Sequence, residues 1–138
     1  TRPRRRKSSP DVTRRAVSDG GPYEDTYGYR RGVRVGNQIH ISGTTADPTL
    51  AASGAGMYEQ TASALRRIVA ALEELDASPV DVVRTVAYTT DVTQFEETAR
   101  AHREVFGDVR PAGTLVEVGN FVSPIYLIEI EAYAIVDD

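Results

Sequence analysis

Arg110 to Asp138 reads RPAGTLVEVGNFVSPIYLIEIEAYAIVDD, and its alternation decides the fold. From Tyr126 every second residue is apolar (Tyr126, Ile128, Ile130, Ala132, Ala134, Val136), the period of a strand that rests one face on a core. The opposite face, Leu127, Glu129, Glu131, Tyr133 and Ile135, sets two carboxylates among bulky apolar neighbours, not among Lys, Thr and Ser. Residues 112–118 alternate as well, with Gly113, Leu115 and Glu117 on one face. The spacing predicts an antiparallel hairpin through residues 119–125 that brings this face beside Glu129.

Upstream of the hairpin the period changes to that of a helix. Phe95, Ala99, His102, Val105 and Phe106 form one stripe, Thr93 and Glu96 read as a capping box, Glu96 and Arg100 as an i,i+4 pair, and Gly107 as the stop. Val82 to Thr90, rich in Val, Thr and Tyr, reads as a central strand. A first helix runs from Tyr58 to about Asp76 on the stripe Leu65, Ile68, Val69, Leu72 and Leu75, and Ser78-Pro79 breaks it. Residues 47–57 read as a loop. Its Gly54-Ala55-Gly56 is no dinucleotide motif, because Glu59 stands where the third glycine belongs and no strand precedes it. Tyr23 to Val35, a turn at Gly36-Asn37 and Gln38 to Gly43 form a first hairpin. The order is two strands, helix, strand, helix, two strands. Both helices need the same sheet face, which predicts an α+β fold, a mixed β-sheet with two helices packed on one side. The other face, part apolar and part acidic, suits a subunit interface better than water.

The chain of 138 residues is the size of one domain, placed here at 22–138, behind a flexible basic tail at 1–21. Residues 1–20 carry a net +5, which leaves −9 for the rest, so the folded part is acidic and disfavours nucleic acid. Only the short basic run Arg4 to Lys7 speaks for a nucleic-acid or acidic partner. Cysteine is absent, which removes thiolate chemistry and fits a cytoplasmic protein. No apolar run reaches a membrane span, and the basic start lacks the apolar segment of a signal peptide. His40 and His102, the two histidines, sit on different elements without ligand spacing, so neither a metal nor a cofactor is expected. His40 and Ser42 share a strand face, but no nucleophile elbow surrounds Ser42.

Taken together, P-A-x-T-x-V-E-V (111–118), I-E-I-E-A-x-A (128–134), GVRVGNQIHISGTTA (32–46) and VDVVRTVAYTTDVTQF (80–95) resemble the YjgF/RidA family, the reactive intermediate deaminases with the older label endoribonuclease L-PSP. The resemblance spans residues 27–136. It implies a chorismate-mutase-like fold and a homotrimer with small-molecule clefts between subunits. It also implies that Glu129, the first Glu of the I-E-I-E run, activates a water against an imine carbon, and that Tyr29 is the cleft tyrosine. One departure bears on substrate. Family members that act as imine deaminases carry Arg directly after Pro-Ala, where this chain has Gly113, so the two-pronged grip on a substrate carboxylate is absent. Ala99 likewise stands where the family often has Asn.

The candidate site is therefore Glu129 as acid/base, with Tyr29, Arg30, Ser42, Thr44, Gly113 and Leu115 in contact with substrate. Arg30 and Arg31 flank Tyr29, and either could reach into the cleft. Glu117 and Glu131 read as structural. Two functional classes follow: hydrolysis, or water and proton transfer, on an imine, enamine or related carbonyl compound without an α-carboxylate, or a trimer that binds a metabolite or partner without chemistry. RNA processing is a third and weaker reading.

Overall fold

Six segments build one sheet in the computed structural model, which describes residues 13–137. The strands are β1 (Arg14–Val17), β2 (Gly32–Val35), β3 (Gln38–Thr44), β4 (Val82–Thr89), β5 (Ala112–Glu117) and β6 (Ile128–Ile135), in spatial order β1-β2-β3-β6-β4-β5. All pairs are antiparallel except β4 with β5. Two long helices, α3 (Met57–Glu74) and α4 (Phe95–Phe106), lie on one face, and two short ones, α1 (Glu24–Tyr27) and α2 (Pro48–Ala52), sit in the connections. The expected α+β architecture with helices on one side is what the chain adopts.

The core lies between the sheet and α3. Leu65, Ile68 and Leu72 of the helix, followed by Leu75, are fully buried against Ile39, Ile41, Ile128, Ile130, Ala132 and Ala134. At α4 the expected stripe is shifted: Thr98, Ala101 and Phe106 are buried, whereas Phe95 is 54% exposed. The cap also moves. Asp91 accepts from the Thr93 amide at 3.0 Å ahead of a short 3-10 turn at Val92–Gln94, and Arg100 pairs with Glu97 at 2.9 Å, one residue nearer than the predicted Glu96.

Two sequence expectations need correction. Residues 112–117 and 128–135 are not hairpin partners, because β4 lies between them. Joined to β4 through the helix α4, β5 runs parallel to it, and a parallel partner requires such a crossover. The register then separates the two faces. Thr85 aligns with Gly113 and with Ala132, on the helix side, while Tyr88 aligns with Glu129 and Val116, on the open side. Gly113, Leu115 and Glu117 therefore face away from Glu129. The second correction concerns the tail. Residues 1–12, including Arg4 to Lys7, lie outside the described residues, but Arg14–Val17 pair with β2 as an edge strand, and residues 18–21 are held to Glu24 by hydrogen bonds from Ser18, Asp19 and Gly21.

Candidate functional site

Where β3 meets β6 the register slips between Ile41 and Thr44, a bulge that bends the strand and opens its end. Gly43 sits in that bulge, and the Glu129 carboxylate lies directly over it. A Cβ at position 43 would stand 2.6 Å from Glu129 Oε2 and 2.8 Å from its Cδ, so only glycine lets the carboxylate rest there. Burial raises the Glu129 carboxyl above the usual carboxylate range; the Arg31 charge opposes this and Glu131 adds to it.

A cleft of about 620 Å³ opens in front of Glu129. One wall comes from residues 22–29, with Tyr23, Tyr27 and Tyr29; the other comes from the loop before β6, with Phe121, Val122 and Tyr126; Ser42 and Gly43 lie at its base. The loop is tied to α3 by Gln60, a buried residue whose Nε2 donates to the carbonyls of Ala55 (3.0 Å) and Ile125 (2.9 Å) while its Oε1 accepts from the Leu127 amide (3.0 Å). One amide side chain thus fixes the approach to the strand that carries Glu129.

Arg31 is the arginine inside. It is 3% exposed, and its Nη1 donates to the Gly43 carbonyl (2.7 Å) and to Thr44 Oγ1 (2.8 Å), its Nη2 to the Tyr29 hydroxyl (3.1 Å). Asp19 Oδ2 lies 3.5 Å from Arg31 Nε, an ionic contact without hydrogen-bond geometry, and also accepts from Arg67 Nη2 at 2.8 Å. Arg67 in turn donates to the Thr45 carbonyl at 2.8 Å. The Arg67 bond and both guanidinium charges hold the Asp19 carboxyl below its ordinary value despite its burial. Glu24, also buried, accepts from Ser18 Oγ and from the amides of Asp19 and Gly21. The Glu24, Asp19 and Arg31 side chains converge at Gly21, where a Cβ would meet all three at 3.4 Å. The charged side chains that line the cleft are Arg31, Arg67 and Glu129, and both guanidiniums are paired with Asp19.

The structure sorts the sequence candidates. Glu129, Tyr29 and Ser42 line this cleft. Thr44 does not: fully buried, it accepts from Arg31 and donates to the Ser42 carbonyl at 2.6 Å, so it buttresses the arginine. Arg30 points outward, and its carbonyl accepts from Ser42 Oγ at 2.6 Å. Gly113 and Leu115 line a second cleft on the helix side, of about 440 Å³, with Thr85, Ala99 and His102. There His102 Nε2 and Thr85 Oγ1 share a 2.8 Å hydrogen bond, and burial lowers the His102 value. Among the described residues no group of three His, Asp or Glu stands together as a metal site would require, and no helix is long and apolar enough to cross a membrane.

Sequence reasoning missed Gly43, Gln60, Asp19, Arg67 and the loop aromatics. The Gly in ISGTT, a break inside a β-branched run, was the one signal that pointed to a bulge.

A family model described as Endoribonuclease L-PSP matches residues 23–136. A protein of Streptomyces coelicolor is 37% identical over 125 residues, covering 86% of this chain and 91% of that protein. A RutC family protein of Pyrococcus abyssi is 35% identical over 124 residues, 88% of this chain and 92% of the relative. The crystal structure of a member of the YjgF/YER057c/UK114 family from Mycobacterium tuberculosis matches with a TM-score of 0.83 at 40% identity, over 90% of this chain and 100% of that one.

Proposed function

The chain belongs to the YjgF/RidA family, and from that premise we propose that it hydrolyses a small imine or enamine, or promotes water and proton transfer on a related carbonyl compound, that lacks an α-carboxylate. One observation carries the reading: a half-buried carboxylate, Glu129, with a raised pKa, seated on a glycine at the base of a cleft. A carboxyl whose pKa is raised by burial is a better match for proton exchange with a weakly basic substrate than an ordinary carboxylate. Glu129 takes a proton from a water as its oxygen bonds to the imine carbon, and the C=N pair moves to nitrogen. It then returns the proton to that nitrogen. Glu129 then takes the proton of the new hydroxyl and passes it to the nitrogen as the C–N bond breaks, leaving a carbonyl compound and an amine or ammonia. Arg31 holds the Gly43 carbonyl and the Tyr29 hydroxyl in place, so the base of the site is preorganised.

In this reading the open sheet face is covered by further copies of the chain in a homotrimer. Val35, Val116 and Ile135, each 40–47% exposed, lie on that face with Tyr88, Glu131 and Tyr133, a mixture suited to burial against protein. Gly113 then matters for substrate choice through a neighbouring subunit.

The test is a coupled assay in which an amine oxidase or amino-acid oxidase generates imines in place. Wild type accelerates hydrolysis of imines without a carboxylate, and Glu129→Gln lowers kcat by about 10²–10⁴-fold. Unchanged turnover of every accepted imine in Glu129→Gln sinks the reading. If wild type turns over none of them, a trimer that binds without chemistry replaces it.

A further inference from the structure

We infer that the compound held beside Glu129 carries an aromatic ring joined to a cationic nitrogen, so that the cleft selects aryl-substituted iminium or ammonium groups over aliphatic and anionic ones. The inference deepens the proposed reaction and rests on it for the word substrate. It stands separately as a statement about binding.

Three features of the cleft point the same way. The first is its lining. Tyr23, Tyr27 and Tyr29 face Phe121 and Tyr126 across a space of about 620 Å³, several times what a two- or three-carbon imine fills. Tyr27 and Tyr29 already meet edge to face, with centroids 6.0 Å apart, so a ring entering between the walls adds to an aromatic arrangement already in place. The second is exposure. Tyr27 is 86% exposed, Val122 76% and Tyr23 38%, an apolar rim at the mouth that no element of the described residues covers.

The third is charge. Arg31 and Arg67, the two guanidiniums at the cleft, are committed to Asp19, to backbone carbonyls and to the Tyr29 hydroxyl. Arg31 Nε has no hydrogen-bond partner, but Asp19 Oδ2 lies 3.5 Å from it, so a ligand carboxylate that reached for it would meet that charge. Glu129, like Glu24, has no guanidinium of the described residues within 4 Å, but Glu24 is already taken up by Ser18 Oγ and two backbone amides. A positive nitrogen beside Glu129, with its attached ring among the tyrosines, satisfies both the charge and the rings.

Binding is measured by calorimetry on the full chain at pH 8 with four probes: 2-phenylethylammonium, the uncharged 2-phenylethanol, 3-phenylpropionate and methylammonium. The phenylethylammonium ion binds tightest, about tenfold or more ahead of phenylpropionate, and methylammonium gives no detectable heat. Tyr27→Ala weakens both the ammonium and the alcohol several-fold with an unchanged Tm, since that side chain is solvent-exposed. Glu129→Gln removes the preference of ammonium over alcohol and leaves the alcohol bound. Phenylpropionate binding as tightly as the ammonium, equal binding of methylammonium, or no binding by any ring compound overturns the inference. The two readings fail differently. Aryl-ammonium binding without hydrolysis of any imine removes the reaction and keeps the ligand class, whereas hydrolysis of aliphatic imines with no ring preference does the reverse.

Discussion

Introduced at position 43, a methyl group would collide with the end of the Glu129 side chain, 2.6 Å away, rather than with backbone. The cheapest relief is rotation of the carboxylate off the bulge. Gly43→Ala is therefore expected to lower turnover by about 10²-fold, the cost of a misplaced catalytic group, while Tm changes little. Steady-state kinetics beside a thermal melt check this, and a large loss of Tm with normal kcat would locate the role of Gly43 in folding. Glu129 itself makes a second prediction. Its folded pKa is raised above the unfolded 4.5, so the stabilisation from its protonated form is complete below about that pH and is lost as pH rises through the folded value. Above it the fold carries an incompletely solvated charge. Glu129→Gln should then melt higher than wild type at pH 7 to 8, with the gap closing toward pH 4; a Gln variant less stable at neutral pH refutes it. Glu129 was singled out over Glu131, which interrupts the same strand face, by the resemblance alone. The choice between Arg30 and Arg31 was not legible in sequence, since it depends on the Ser42–Arg31 pairing next to the bulge, and a bulge adds a residue that a strict period of two cannot foresee.

Between elements, β4 and β6 are joined on the open face by Glu131, whose two carboxylate oxygens accept from the hydroxyls of Tyr88, across the ladder, and Tyr133, two residues along the same strand. The bond to Glu131 is the largest cause in holding the Tyr88 phenol up at about 12, and it raises Tyr133 as well. With folded values above the ordinary 10, both phenols contribute stability that is complete below pH 10 and lost as pH climbs through their folded values, near 12 for Tyr88. Ultraviolet phenolate titration should show Tyr88 and Tyr133 among the late-ionising tyrosines of wild type, with Tyr58 and Tyr126 also raised, and in Glu131→Ala the first two alone should move back toward 10. If the Glu131→Ala titration overlays wild type, the carboxylate is not what holds them. The same pair of strands shows where sequence patterning ran out. Alternation at the C-terminus, β-branched composition, a Gly-containing turn and the helical period together identified the long strands and both long helices, because these signals are local. They could not say that β4 inserts between β5 and β6, because two strands close in sequence pair across a turn by default and only the right-handed helical crossover displaces them. The edge strand β1 was hidden for another reason. RRAV carries one half-buried residue, so its pairing comes from backbone bonds to β2 rather than from an apolar stripe.

At the scale of the whole molecule, the residues first grouped into one site occupy two clefts on opposite faces of the sheet, Glu129 on one and Gly113 with Leu115 on the other. Motif resemblance grouped them, and a single fold separates them. If both act on one substrate, they do so from different subunits. Subunit mixing tests this directly. A Cβ at Gly113 meets only Thr85 Oγ1, at 3.8 Å, so Gly113→Phe fills the helix-side cleft without strain on the backbone, and aromatic residues suit a strand. Glu129→Gln removes the acid/base group. Each homomeric variant should be nearly inactive, and each contributes the half that the other lacks. Co-assembled in equal amounts, the two produce intact sites wherever an unmodified Glu129 from one subunit meets an unmodified Gly113 from its neighbour, at about one quarter of positions in a cyclic assembly. Activity recovered to about that fraction of wild type, together with a trimeric mass by sedimentation, would place the site between subunits. A Gly113→Phe homomer as active as wild type would leave Gly113 outside the reaction, and co-assembled variants no more active than two inactive parents would rule out a site shared between subunits.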